Sequence, residues 1–220
     1  MTIILGFKGS DFVTITADKK STHLKGNTIL ETSDMVKKVF HISENIIIGI
    51  AGLNDLGLGI NTLLKSIFSK THKLSVDEIL SYVEKTCIYA HSMYKEVHSE
   101  GYDALELVVA GLDNKKGGRT YLYVLSSIDN FKPKEFPQYY ITPGYSQAYD
   151  SLAKSNHINN IVQRFAAAIR TVEDPMVSKE SYSISIVYDQ ERNKYKSYIY
   201  NYDADGNKTM LDLDGNEIKV

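Results

Sequence analysis

The stretch from Thr2 to Asp18, TIILGFKGSDFVTITAD, decides the fold. Two apolar, β-branched segments, Thr2 to Phe7 and Phe12 to Ala17, flank Lys8-Gly9-Ser10-Asp11, which is the pattern of a hairpin around a Gly/Ser/Asp turn. A polar stretch, Lys19 to Asp34, follows. Met35 to Ile42 and Asn45 to Ala51 then read as a second strand pair about Ser43-Glu44. Ile46 to Ala51 is nearly continuous in apolar residues, as in a strand covered on both faces, so layers must lie above and below it.

The period then changes. Leu53, Leu56, Ile60, Leu63, Leu64, Ile67 and Phe68 recur at helical spacing, and Ser75-Val76-Asp77-Glu78 is a capping box that opens a second helix running to about His98. Strand patterns return at Ala104 to Leu112 and Arg119 to Ser126, joined by a turn over 113–118, with a shorter strand near Gln138 to Thr142. Helical spacing resumes at Tyr145 to Ser155 and Ile158 to Val172, and strands at Tyr182 to Tyr188 and Tyr195 to Tyr200 close the pattern. Strands, two helices, strands, two helices, strands: this order predicts an α+β fold, a four-layer αββα sandwich with two antiparallel sheets between helix layers.

Composition narrows the function. The 220 residues are 43% hydrophobic and 24% charged with a net charge of -2, ordinary values that exclude a disordered chain, collagen or a coiled-coil rod. With a pI near 6.3 and no basic stripe, nothing favours nucleic acid or an anionic membrane as partner. No apolar run approaches the ~18 residues of a membrane-crossing helix. The single cysteine, Cys87, has no partner for an intrachain disulfide, and no signal-peptide pattern precedes the first strand, so a cytoplasmic protein is expected.

The start carries the chemistry. Initiator methionine is commonly removed before a residue as small as threonine, which would give Thr2 a free α-amine beside its own hydroxyl. An α-amine, with a pKa of about 7.7–8.0, can take the hydroxyl proton near neutrality, and the threonine/α-amine pair is an activated nucleophile. Such a nucleophile needs a nearby cation, a carboxylate to orient it and a backbone N–H for the oxyanion.

Met1-Thr2-Ile3-Ile4, Thr16-Ala17-Asp18, Val36-Lys37-Lys38-Val39 and Gly49-Ile50-Ala51-Gly52, in this order and at these gaps, resemble the β-type subunits of the proteasome and their bacterial relatives, which are N-terminal nucleophile hydrolases. The resemblance spans roughly Thr2 to Asn201 and implies the same αββα sandwich. It makes Thr2 the nucleophile and base, Lys38 the cation, Asp18 its orienting carboxylate and Gly52 the oxyanion donor. It adds Asp174, from Glu173-Asp174-Pro175-Met176-Val177-Ser178, as a group near the threonine amine, with Ser178 its weaker partner because the gap is one residue longer. It implies a pocket for the residue preceding the cut, shaped by Val36, Ile50 and Asn54, with a preference for apolar side chains. Peptide or unfolded protein is the implied substrate, and a homo-oligomeric ring or stack the implied assembly. No cofactor or metal is implied, and an ATPase partner is left open. The corresponding domain is 1–202, with 203–220 a hairpin-like extension.

The sequence departs from that pattern in places. The loop between Asp18 and Lys38 is longer than usual, and Tyr145 stands in Thr142-Pro143-Gly144-Tyr145-Ser146 where a serine is usual, with Ser146 adjacent. If Met1 stays attached, the Thr2 nitrogen is a peptide nitrogen and no base. The chain is then a silent assembly subunit; a small-molecule amidase is a third reading. Each site residue also has a structural reading: a strand start, a turn cap, an edge charge, a turn glycine. Two further patterns carry less. Asn201 to Gly206 with Asp212 partly matches a calcium loop, but a strand precedes it, and Asp205-Gly206 and Asp214-Gly215 read more simply as successive hairpin turns. Cys87, His91 and His98 share a helix, at a spacing too loose for zinc.

Overall fold

The computed structural model describes residues 2–25, 28–33, 36–69, 74–98, 103–113 and 119–218, and of residues 22–25 and 28–32 only the backbone. The hairpin legible from Thr2 onward is β1 (Ile4–Lys8) and β2 (Phe12–Asp18), paired from Ile4↔Ala17 to Lys8↔Val13. Lys19 onward, which shows only polarity in sequence, forms a separate ribbon of β3 (Ser21–Lys25) and β4 (Thr28–Ser33) with a bulge between His23 and Leu24. Next come β5 (Val39–Ser43), β6 (Ile46–Gly52), α1 (Asn54–Phe68) and α2 (Val76–Val97). The capping box is made: the Ser75 hydroxyl accepts from Glu78 N–H at 3.3 Å and the Ser75 N–H donates to the Glu78 carboxylate at 2.7 Å.

The second half holds β7 (Leu105–Asp113), β8 (Arg119–Ser126), a short β9 (Lys134–Glu135), β10 (Tyr139–Ile141), α3 (Ser146–Lys154), α4 (Ile161–Thr171), β11 (Ser181–Asp189), β12 (Lys194–Tyr202) and β13 (Lys208–Leu211). Of the turn expected between β7 and β8, residues 114–118 lie outside the described residues, as do Asp34 and Met35 before β5. That strand starts four residues later than its apolar pattern, at Val39, because the Val36 N–H goes to the Lys19 carbonyl at 3.0 Å and not into the β6 ladder.

The strands form two antiparallel sheets, β10-β1-β2-β11-β12-β13 and β5-β6-β7-β8-β9. Their alternation sorts side chains into three layers. Ile4, Val13, Ile15 and Ala17 of the first sheet meet Ile47, Val108, Ala110 and Leu122 of the second in the central core. Ile48, Leu107 and Val109 face outward to Ile60 and Leu64 of α1 and Val83 and Cys87 of α2. Ile3, Leu5 and Phe7 face the other way, to Phe165 and Ile169 of α4 and Leu152 of α3. The molecule is therefore an α+β, four-layer αββα sandwich. Gly6 and Gly49 let the sheets approach: a Cβ on either would sit 2.9 Å from Leu122 or Ile15 of the opposite sheet. On β2 and β11 the helix-facing positions are small and polar. The Thr16 and Ser183 hydroxyls bond each other at 2.8 Å, and the Ser185 hydroxyl donates to the Thr14 hydroxyl at 2.8 Å, so these buried groups are satisfied.

The C-terminal turns repeat one geometry. The Asp203 carboxylate accepts from the N–H and side-chain amide of Asn207, and Asp212 does the same for Asn216, with Gly206 and Gly215 at φ 93° and 92°. These carboxylates are engaged within their own turns, as hairpin loops use them.

Candidate active site

Asp18 ends β2 and is 1% exposed, so its carboxylate must be satisfied by protein groups. Four donors reach it. Oδ1 accepts from Lys38 Nζ at 2.9 Å and from the Ile3 N–H at 3.1 Å. Oδ2 accepts from the N–H groups of Lys20 at 3.0 Å and Ser178 at 3.2 Å. Lys38 is itself only 4% exposed, and its carbonyl is held by the Ile50 N–H at 2.8 Å. A buried ion pair offsets its desolvation only with such complete hydrogen bonding. One carboxylate oxygen thus joins the ammonium to the amide that follows Thr2, which is half-buried at the head of β1.

Gly52 closes β6, opposite Leu105 of β7, at φ 99°. A Cβ there would lie 2.0 Å from the Ala104 carbonyl oxygen, so only glycine fits both the dihedral and the space. The backbone leaves the ladder here to enter α1 at Asn54. β1 and Asp18 belong to one sheet and Gly52 to the other, so the candidate residues are drawn from both sheets.

The remaining candidates sit around this group at different removes. Asp174 is half-buried and its Oδ1 accepts from the Met176 N–H at 2.7 Å, shaping the turn that delivers Ser178 to Asp18. Ile50 is 4% exposed and packs outward against α1, within 2.2 Å of where a Cβ on Gly57 would stand; Val36 and Asn54 are half-buried. Tyr145 is buried in the layer with Ile3 and Leu5, while Ser146 is exposed. Met1 lies outside the described residues.

Sequence reasoning passed over several neighbours. The Thr142 hydroxyl accepts from the Ile4 N–H at 2.9 Å and donates to the Ile4 carbonyl at 3.2 Å. The Tyr140 hydroxyl donates to Glu106, whose carboxyl is held above the usual range by burial, opposed by the Tyr140 hydrogen bond, and raised further by Asp129. Lys19, 9% exposed, is paired with Glu180 at 2.5 Å, fastening the start of the β3 segment to the strand that follows Ser178. The only signal for these groups was polar residues at strand positions that otherwise alternate apolar. Among the described residues no cluster of His, Cys, Asp or Glu is arranged to hold a metal ion; His91 gives its Nε2 to the Asp103 carbonyl at 2.8 Å.

A buried lysine–aspartate pair bonded to the amide after Thr2, and a left-handed glycine at the end of β6, are residue types suited to activating a hydroxyl and receiving an oxyanion. A protein-family model described as proteasome subunit matches residues 2–132, more than half of the chain. No curated protein matches it.

Proposed function

Because the chain belongs to the proteasome subunit family, we propose that it is a threonine-type hydrolase of peptide bonds, active once Met1 is removed. The observation that supports this is the Asp18 carboxylate oxygen shared by the Lys38 ammonium and the Ile3 amide. On this reading the Lys38 ammonium, 4% exposed and held by Asp18, is the positive charge that acts on the Thr2 oxygen with little screening by water.

In the proposed cycle the Thr2 hydroxyl loses its proton to its own α-amine as Oγ attacks the scissile carbonyl. The Gly52 N–H binds the resulting oxyanion, and Lys38 favours the alkoxide-like oxygen. Collapse of the tetrahedral intermediate breaks the C–N bond, the α-ammonium returns the proton to the departing amine, and an ester remains on Thr2. Water, giving its proton to the same amine, cleaves the ester and restores the enzyme. Asp18 holds the lysine, Ser178 and the Asp174 turn hold Asp18, and Val36, Ile50 and Asn54 border the pocket for an apolar side chain. Proteasome subunits assemble into oligomeric rings, and a homo-oligomeric ring is the assembly proposed for this chain.

The test is the intact mass of the purified protein combined with labelling by a threonine-directed electrophile. Loss of Met1 and one label per chain are expected; retained Met1 with no label would leave a silent assembly subunit. Thr2→Ala should abolish peptide turnover and leave the oligomer intact. Lys38→Ala should abolish turnover as well and lower the unfolding free energy by about 3–5 kcal/mol, because it leaves the Asp18 charge buried and unpaired.

A further inference from the structure

The catalytic parts named above lie on two sheets, with β1 and Asp18 on one and Gly52 on the other. Turnover through them depends on how firmly the sheets are held together. The Asp18–Lys38 pair is one tie. A second runs through groups that have no place in the proposed chemistry.

Glu106 lies on β7 directly opposite Ala51, one position from the Gly52↔Leu105 pair. Its strand neighbours Val108 and Ala110 point into the central core, so Glu106 points between the sheets as well. There its carboxylate accepts a hydrogen bond from the Tyr140 hydroxyl. Tyr140 is 5% exposed, on β10 opposite Gly6, with its ring edge-on to Phe136 at 4.9 Å. Two residues on, Thr142 clamps Ile4 with three bonds. Its hydroxyl accepts from the Ile4 N–H at 2.9 Å and donates to the Ile4 carbonyl at 3.2 Å, and its own N–H reaches that carbonyl at 3.0 Å. The path runs from the neighbour of Gly52 to the second residue after Thr2.

We propose that Glu106 and Tyr140 are positioning residues, a polar tie between the sheets that fixes β1 relative to the Gly52 amide through the Thr142 clamp on Ile4. The proposal rests on the hydrolase reading for its kinetic consequence and not for the tie itself. A misplacement of about 1 Å is enough to slow a reaction whose nucleophile and oxyanion donor sit on separate sheets. The charge on Glu106 is not the active feature; its role is to accept the tyrosine hydroxyl.

The experiment compares Tyr140→Phe, Glu106→Gln and Glu106→Ala by peptide turnover and by amide exchange of the intact oligomer. Tyr140→Phe keeps the ring packed on Phe136 and removes only the hydroxyl. It should lower kcat by roughly 10- to 100-fold with KM unchanged, and speed exchange of the Ile4 amide by roughly tenfold, the loss of one modest hydrogen bond. Glu106→Gln, which still accepts from Tyr140, should restore both; Glu106→Ala should match Tyr140→Phe, and the double variant should be no worse than either. Unchanged Ile4 exchange in Tyr140→Phe would overturn the tie. Equal loss in Glu106→Gln would overturn it too, by assigning the effect to charge. If the unaltered protein has no peptidase activity, the hydrolase reading fails, while the exchange arm still decides the tie.

Discussion

At the scale of single residues, burial decides which ionisable groups carry weight. Asp18 and Lys38 are buried as a bonded pair, whereas His41 on β5 is half-buried with no carboxylate among the described residues to hold a charge. Burial, and then the ammonium of Lys65, depress its pKa from 6.5 to about 4, and its Nε2 meets the Ser197 hydroxyl at 2.9 Å. A folded-state pKa below the unfolded one means that the unfolded chain takes up the proton first. The contribution of neutral His41 to stability is therefore complete above pH 6.5 and is lost as pH falls from there through about 4. Urea unfolding midpoints measured across that window should fall with pH in the unaltered protein, and fall less in His41→Gln. The pairing of Asp18 with Lys38 was legible because a family resemblance, carried by the order and gaps of short motifs, implied it. Glu106, Tyr140 and Thr142 were not, since they are brought together only by the pairing of strands far apart in the chain, and each alone is an ordinary strand residue. Ile50 illustrates a different limit: an apolar residue in a strand covered on both faces reads the same whether it borders a pocket, packs beneath a helix or does both, and its contact with α1 is what the structure adds.

At the scale of elements, local signals were read well where they were self-contained. The capping box of α2 needs only Ser75 and Glu78, and both its bonds form. Ser75→Ala should lower the unfolding free energy by about 1 kcal/mol, read by thermal or chemical denaturation, without affecting the site at the other end of the sandwich. The β3–β4 ribbon escaped sequence reading because it pairs with itself and has no alternating apolar face to announce it. The segment after β8 escaped for another reason. Phe131 adopts φ 58°, rare for a bulky residue, and holds it because the ring is 1% exposed and edge-on to His91 at 5.3 Å. A tertiary contact of that kind overrides local preference and leaves no trace in the neighbouring residues.

At the scale of the whole molecule, the layer order follows from alternating blocks of strands and helices, and the two sheets with a helix pair outside each are what that alternation allows. The last described residues, for which the sequence suggested a hairpin-like extension, add to the margin of the first sheet. β13 pairs with β12 on one side; on the other, Glu217 bridges to Leu211 and the Ile218 N–H bonds the Met210 carbonyl at 2.8 Å. Ending the chain at Leu211 would strip that cover from a sheet margin. The truncated protein should then aggregate beyond its native assembly as concentration rises, as read by light scattering, while the full chain should keep the size of that assembly.

The same tail reaches inward. A side chain on Gly215 would come within 3.4 Å of the Lys37 ammonium, next door to the lysine that Asp18 holds. The hem that finishes the fabric is thus sewn beside the seam proposed to be catalytic, so an affinity handle placed at the carboxyl end calls for a generous spacer if the neighbourhood of Lys38 is to remain undisturbed.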